Sequence, residues 1–274
     1  CLFYLNLNLY KNLDFSDDQK FLKEEARKFL EKENALARNR NVLENESHID
    51  EELWKKIVAL GWTGIRIPEE YGGLGLGHLE LCVIAEELGR FLAPVPYSSS
   101  VYLFTESIIN YGNDQIKKEF LPKLVSGDIV GTLAVTEALH APSASNINVT
   151  YESGRLNGKK IAVPDANVST HALVVAKSSK GISLQIVDLS SNGISIEHQE
   201  TIDESRGHFS ITFDNVEADL IGDEVSGWEI YESIINQAAV LFSYEQIGGS
   251  QASLDMAVNY AKERYAFGRP IGSY

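Results

Sequence analysis

The sequence predicts an α+β protein in three blocks: an N-terminal α-helical domain over 14–130, a central antiparallel β-sandwich or barrel over 131–224, and the start of a C-terminal α-helical bundle over 225–274. Two observations carry this. Apolar residues recur three and four apart in the first and last blocks, as a half-buried helix requires. Between them the period drops to short alternating or β-branched runs divided by turn residues, as in an antiparallel sheet. Helices gathered in one stretch and strands in another indicate separate layers, not alternating βαβ units.

In the first block, Ser16 and Gln19 form a capping-box start, and Phe21, Leu22, Phe29 and Leu30 make an apolar stripe. A second helix starts near Asp50, buries Leu53, Ile57 and Leu60, and stops at Gly61. Pro68-Glu69-Glu70-Tyr71-Gly72-Gly73-Leu74-Gly75 reads as a loop. It follows no strand, so it is not a dinucleotide-binding fingerprint. A third helix carries Leu81, Ile84, Ala85 and Leu88. A fourth, after Ser98, carries Val101, Phe104, Ile108 and Ile109, and a fifth runs from about Asn113 to Leu124 and Gly127.

The expected strands are 131–137, 147–152, 155–163, 172–176, 184–188, 194–199, 208–213 and 219–221. Asn157-Gly158 favours a tight turn or, inside a strand pair, a bulge. From Gly227 the helical period returns. Ile247, Leu254, Val258, Ala261 and Tyr265 share one face, expected to be buried, and Gly268 and Pro270 are expected to stop the helix. Arg264, Phe267 and Arg269 would then sit at a fixed helix end, and the chain is expected to break off within that motif.

Composition bounds the function. Over 274 residues, 44% hydrophobic and 23% charged content is that of an ordinary globular chain. A net charge of -15 disfavours nucleic acid and anionic membrane surfaces. The two cysteines, Cys1 and Cys82, form no Cys-x-x-Cys pair, which points to a reducing compartment. The histidines have no metal-ligand spacing, so no metal is expected. No run is long enough to span a bilayer. Residues 1–13 are apolar but broken by asparagines, and are read as a leader, a fragment end or a frayed strand.

Four motifs, in order, resemble the acyl-CoA dehydrogenase family over 14–274. They are Pro68–Gly75, Ala134-Val135-Thr136-Glu137, Leu156-Asn157-Gly158-Lys159-Lys160, and Glu245-Gln246-Ile247-Gly248-Gly249 leading to Arg264-x-x-Phe267-Gly268-Arg269-Pro270-Ile271. The resemblance implies FAD as cofactor and oxidation of an acyl-CoA thioester to the 2,3-enoyl-CoA. It further implies an electron-transfer flavoprotein or similar acceptor, a homo- or hetero-oligomer, and a bacterial cytoplasm or mitochondrial matrix, the cytoplasm being preferred. Val135 and Thr136 match the strand that meets the flavin ring. Arg264 and Phe267 match the residues that reach the FAD of a neighbouring subunit, at its pyrophosphate and adenosine.

The sequence departs from the family in three places. Where Pro-x-x-Gly-Ser-Asp is usual, it has Ala138-Leu139-His140-Ala141-Pro142-Ser143, and Ser143 takes the serine's role if the loop slips by one residue. The family's Lys-x-Trp-Ile-Thr-Asn becomes Lys160-Ile161-Ala162-Val163-Pro164-Asp165. The usual catalytic Glu is expected beyond Tyr274. The alternative position, within Asn236-Gln237-Ala238-Ala239, holds no carboxylate. Glu232 and Glu245 lie near it but read as surface or packing residues, so no catalytic residue is named. Two readings therefore stand: a dehydrogenase whose C-terminal part lies outside this chain, and a non-catalytic or partner-dependent subunit of the same fold.

Overall fold

The computed structural model describes residues 14–45 and 47–274. The reading of residues 1–13 lies outside the described residues. Packing divides the chain into two units. One comprises residues 14–36, Gly77–Ala93 and Leu241–Tyr274; the other comprises Ala37–Leu76 and Pro94–Val240.

The first unit is helical. α1 (Asp17–Lys32) opens on the Ser16–Gln19 capping box. It buries Ala26 and Leu30, and lies against α4 (His78–Arg90). Glu87 of α4 is fully buried, and Arg27 clamps it with two bonds of 2.7 and 3.0 Å. The C-terminal part of α7 (Gly227–Glu263) completes the unit. A Cβ on Gly248 would lie 1.8 Å from the Glu86 carbonyl oxygen, and one on Gly89 would lie 2.1 Å from that of Glu245. Gly248 and Gly89 thus make a contact that only glycine permits, because the two helix backbones touch there.

The expected burial of one α7 face does not occur within the described residues. Ile247, Leu254, Val258 and Tyr265 are 53, 56, 39 and 64% exposed. The helix also ends earlier than expected, at Glu263. Tyr265–Ala266 (β9) pairs antiparallel with Arg269–Pro270 (β10). Phe267 and Gly268, at φ 50° and 83°, form the two-residue turn between them. Gly268 therefore supplies the left-handed conformation of a tight hairpin and not of a helix cap.

In the second unit, α2 (Ala35–Asn45) is a helix absent from the sequence reading. Its apolar stripe is too thin to register, since it buries only Ala35, Asn39 and Val42. Asp50 caps α3 (Glu51–Ala59) through Leu53 N at 2.8 Å and pairs with Arg38 of α2 at 3.0 Å. The glycine-rich loop folds on itself, with Leu74, Gly75 and Leu76 donating to Gly64, Ile67 and Ile65. Buried Ser98–Thr105 forms wide π-helical turns that continue into α5 (Glu106–Tyr111). α6 (Asp114–Ser126) runs from its Asn113 cap to Gly127 at φ 77°.

The strands are β1 (Gly131–Ala134), β2 (Thr150–Glu152), β3 (Arg155–Pro164), β4 (His171–Lys177), β5 (Ile182–Asp188), β6 (Ile194–Gln199), β7 (His208–Glu217) and β8 (Asp219–Ile221). They lie in the order β6-β7-β3-β2-β4-β5-β8, with β1 also on β4. The sheet is mostly antiparallel, but β1–β4 and β2–β4 are parallel. The expected antiparallel sheet is thus present, and the two parallel pairings of β4 are an addition to it: periodicity reports which face is buried and not strand direction. Residues of β4 (Ala172, Val174, Ala176) and β7 (Phe209, Ile211, Phe213) share one core, so the two halves of the sheet enclose it. Asn157-Gly158 is the expected bulge. The β3–β7 register slips there, and Gly158 adopts φ 128°.

Candidate flavin site

Three expected site residues fall in the second unit. The strand expected over 131–137 ends at Ala134, whose ladder partner is Val174. Val135, Thr136 and Glu137 then leave the ladder and are held by β3. Lys160 Nζ donates to Val135 O at 3.0 Å and to Glu137 Oε1 at 2.6 Å. Ile161 N donates to Thr136 O at 2.8 Å. Glu137 in turn accepts from Asn148 N at 2.7 Å and Val149 N at 3.0 Å. The Lys160–Glu137 pairing escaped the sequence reading, although both residues lie inside its motifs. The available signal was a lysine at an inward-facing strand position, where a charge requires a partner.

The ammonium of Lys160 is wholly buried. Desolvation pulls its pKa down to about 8, against the opposing hydrogen bond and charge of Glu137. Burial pushes the Glu137 carboxyl up. The hydrogen bond and charge of Lys160, with the two backbone N–H groups, outweigh that and leave it below its ordinary value. The pair is therefore ionised near neutrality.

Half-buried Thr136 is the residue left with capacity. Neither its amide N–H nor its hydroxyl has a hydrogen-bond partner among the described residues. A strand end offering two adjacent unpartnered donors suits the carbonyl and nitrogen edge of a flavin ring. Ala162 sits in a β3 bulge, exposed, at φ 52°. Its N–H is bonded to Gln199 Oε1 at 2.7 Å. The position is open and carries no aromatic face. The residues present thus fit the hydrogen-bonding edge of the flavin and lack a stacking ring at Ala162.

Ser143 caps the short turn Ala144–Asn146. Its N–H is bonded to Asn146 Oδ1, and its hydroxyl contacts that of Ser145 at 3.0 Å. A second polar cluster was also missed. Asp165, 3% exposed and at φ 55°, accepts from Ser99 Oγ at 2.5 Å and pairs with Arg206. Its residues lie in three sequence-distant segments, so no spacing announces it.

Arg264 and Phe267 fall in the first unit, on the terminal hairpin. Phe267 is 98% exposed and Arg264 is also exposed. The hairpin is bonded to itself: Ile271 N donates to Arg264 O at 2.8 Å, Tyr274 Oη donates to Ala266 O at 2.9 Å, and Arg269 lies 3.9 Å over the Tyr274 ring. In the same unit, a groove of about 920 Å³ runs along α7, lined by Phe91, Leu92, Phe242 and Met256 with Arg90 and Asp255. Of the carboxylates near the alternative base position, Glu232 is exposed, and the stretch itself includes buried Ala238.

Among the described residues no helix is long and apolar enough to cross a membrane, and no cluster of three or more His, Cys, Asp or Glu is placed to hold a metal ion. The family model for the acyl-CoA dehydrogenase N-terminal domain matches residues 16–128. An acyl-CoA dehydrogenase of Bacillus subtilis is 31% identical over 274 aligned residues, spanning 94% of this chain and 72% of that protein. The mitochondrial isovaleryl-CoA dehydrogenase of Solanum tuberosum is 30% identical, over 96% of this chain and 68% of its own length. The butyryl-CoA dehydrogenase structure from Megasphaera elsdenii superposes with a TM-score of 0.86 at 26% identity, covering 96% and 73%. The helical and mostly antiparallel β elements, the ordered motifs and this likeness over nearly the whole chain agree: the chain belongs to the acyl-CoA dehydrogenase family.

Proposed function

We propose that the protein oxidises an acyl-CoA thioester to the 2,3-enoyl-CoA and passes the electrons to an electron-transfer flavoprotein or a similar acceptor. FAD is the cofactor, and when bound it supplies the two-electron acceptor that no side chain can provide. The chain's own part is to hold and orient that cofactor. In this reading Val135 and Thr136 meet the ring, and Ser143 approaches the pyrophosphate. Arg264 and Phe267 reach from the hairpin to the FAD of a neighbouring subunit, where a guanidinium suits pyrophosphate and an aromatic suits adenosine. The base that removes the α-proton comes from outside residues 1–274, either further along the polypeptide or on a partner subunit. By themselves, residues 1–274 would then turn over little substrate.

The observation that carries this reading is Thr136, with two unpartnered donors on a segment fixed from β3. A second reading, a non-catalytic or partner-dependent subunit, is favoured by Ala162 and by the carboxylate-free stretch around buried Ala238. Absorbance of the purified full-length protein separates them. A yellow protein bleached by an acyl-CoA supports the first reading, whereas one that stays colourless in excess FAD ends it. Cytoplasmic placement is part of the same proposal, and fractionation of the producing cell tests it.

A further inference from the structure

The buried Lys160–Glu137 pair does more than fill a core position. We propose that Lys160, through the carbonyl of Val135, positions and polarises the peptide group whose N–H belongs to Thr136, so that this donor binds the reduced flavin more strongly than the oxidised one. The inference rests on the flavin reading above.

The geometry is direct. The Val135 carbonyl and the Thr136 N–H are the two ends of one peptide unit. The ammonium sits 3.0 Å from the carbonyl end. A hydrogen bond from a cation at one end of an amide strengthens the donor at the other, and low dielectric amplifies the effect. Here that donor has no partner among the described residues. Glu137 keeps Lys160 in place, and two backbone N–H groups hold Glu137 itself. Two-electron reduction adds negative charge to the flavin, so a preorganised, polarised donor stabilises the reduced form more. Glu137 is the charged group acting on Lys160. Lys159, next in the chain, is exposed and pairs with Glu197.

The test uses the full-length protein, FAD as the probe, and the double variant Lys160→Met/Glu137→Gln. Replacing both partners leaves no buried charge behind. Affinity for oxidised and dithionite-reduced FAD is measured for each protein, with circular dichroism as the check on folding. The double variant is expected to lose about tenfold more affinity for reduced than for oxidised FAD, equal to a two-electron potential lower by about 30 mV. An unchanged ratio overturns the inference. Wild-type protein supplies a second readout that needs no variant: its potential should fall more steeply with pH above about 8, where Lys160 loses its proton. Glu137→Gln should move that step to lower pH, and a step that stays put also overturns the inference. Wild-type protein that binds no FAD removes the functional reading and this inference together. Wild type that binds FAD with an unaltered variant ratio removes the inference alone.

Discussion

The Val135–Glu137 segment and the Arg264–Ile271 hairpin both carry residues proposed to meet the flavin, but they are held in opposite ways. The first is tied to β3 by a buried ammonium and a backbone bond, and leaves Thr136 with open donors. The second is bonded to itself and presents Phe267 almost fully to solvent. A site residue fixed by its own unit is preorganised and costs stability when disturbed. One that waits for a partner contributes to binding and little to folding.

The sharpest way to break this contrast is Lys160→Met alone. It strands the Glu137 carboxylate among buried groups and should cost about 3–5 kcal/mol. Urea unfolding measures it, and a loss under about 1 kcal/mol would mean that the pair does not hold the segment. Next comes Gly248→Ala, which forces a Cβ onto the Glu86 carbonyl oxygen. The expected loss is roughly 1–3 kcal/mol, because backbone cannot step aside as a side chain can. That result would show that α7 is held rigidly where it meets α4, although its other face is exposed.

The pH dependence of stability probes the same pair. Glu137 is depressed below its ordinary value, so its contribution is complete above pH 4.5 and is lost as pH falls through the folded pKa. Lys160 is depressed from 10.5 to about 8, so the unfolded chain binds the extra proton and stability rises across that window. Lys160→Met/Glu137→Gln should flatten both slopes, as read from unfolding midpoints across pH. The smallest effect on folding belongs to Phe267→Ala. It should leave stability within roughly 0.5 kcal/mol, as at other exposed sites. FAD retention by the assembled protein should nevertheless fall, and equilibrium dialysis would detect it. If Phe267→Ala instead lowers stability like a core substitution, the hairpin is not an open element.

Much of the fold was legible because its signals are local. Ser16, Asp50 and Asn113 announced three helix starts, and each accepts the expected backbone bond. Alternation located every strand of the central unit, and Asn157-Gly158 marked its bulge. α2 was missed because tertiary contacts, including Arg38 to Asp50, hold it where its own apolar stripe is thin. Thr136 was singled out through its motif. What makes it suited to a ligand, a carbonyl bound to Ile161 and donors left open, is a matter of pairing that the motif does not contain.

The amino-acid sequence by itself determined the element types, most of their limits and the family, since capping, period and ordered motifs are properties of neighbouring residues. Tertiary structure alone decided the parallel pairings of β4, the Lys160–Glu137 bond across 23 residues and the conversion of Arg264–Ile271 from helix end to hairpin. It also decided that Ile247, Leu254 and Val258 remain exposed among the described residues. The reason is physical. A residue's own chemistry states what it needs, a partner for a charge or cover for an apolar face, and only the folded chain shows whether and where that need is met.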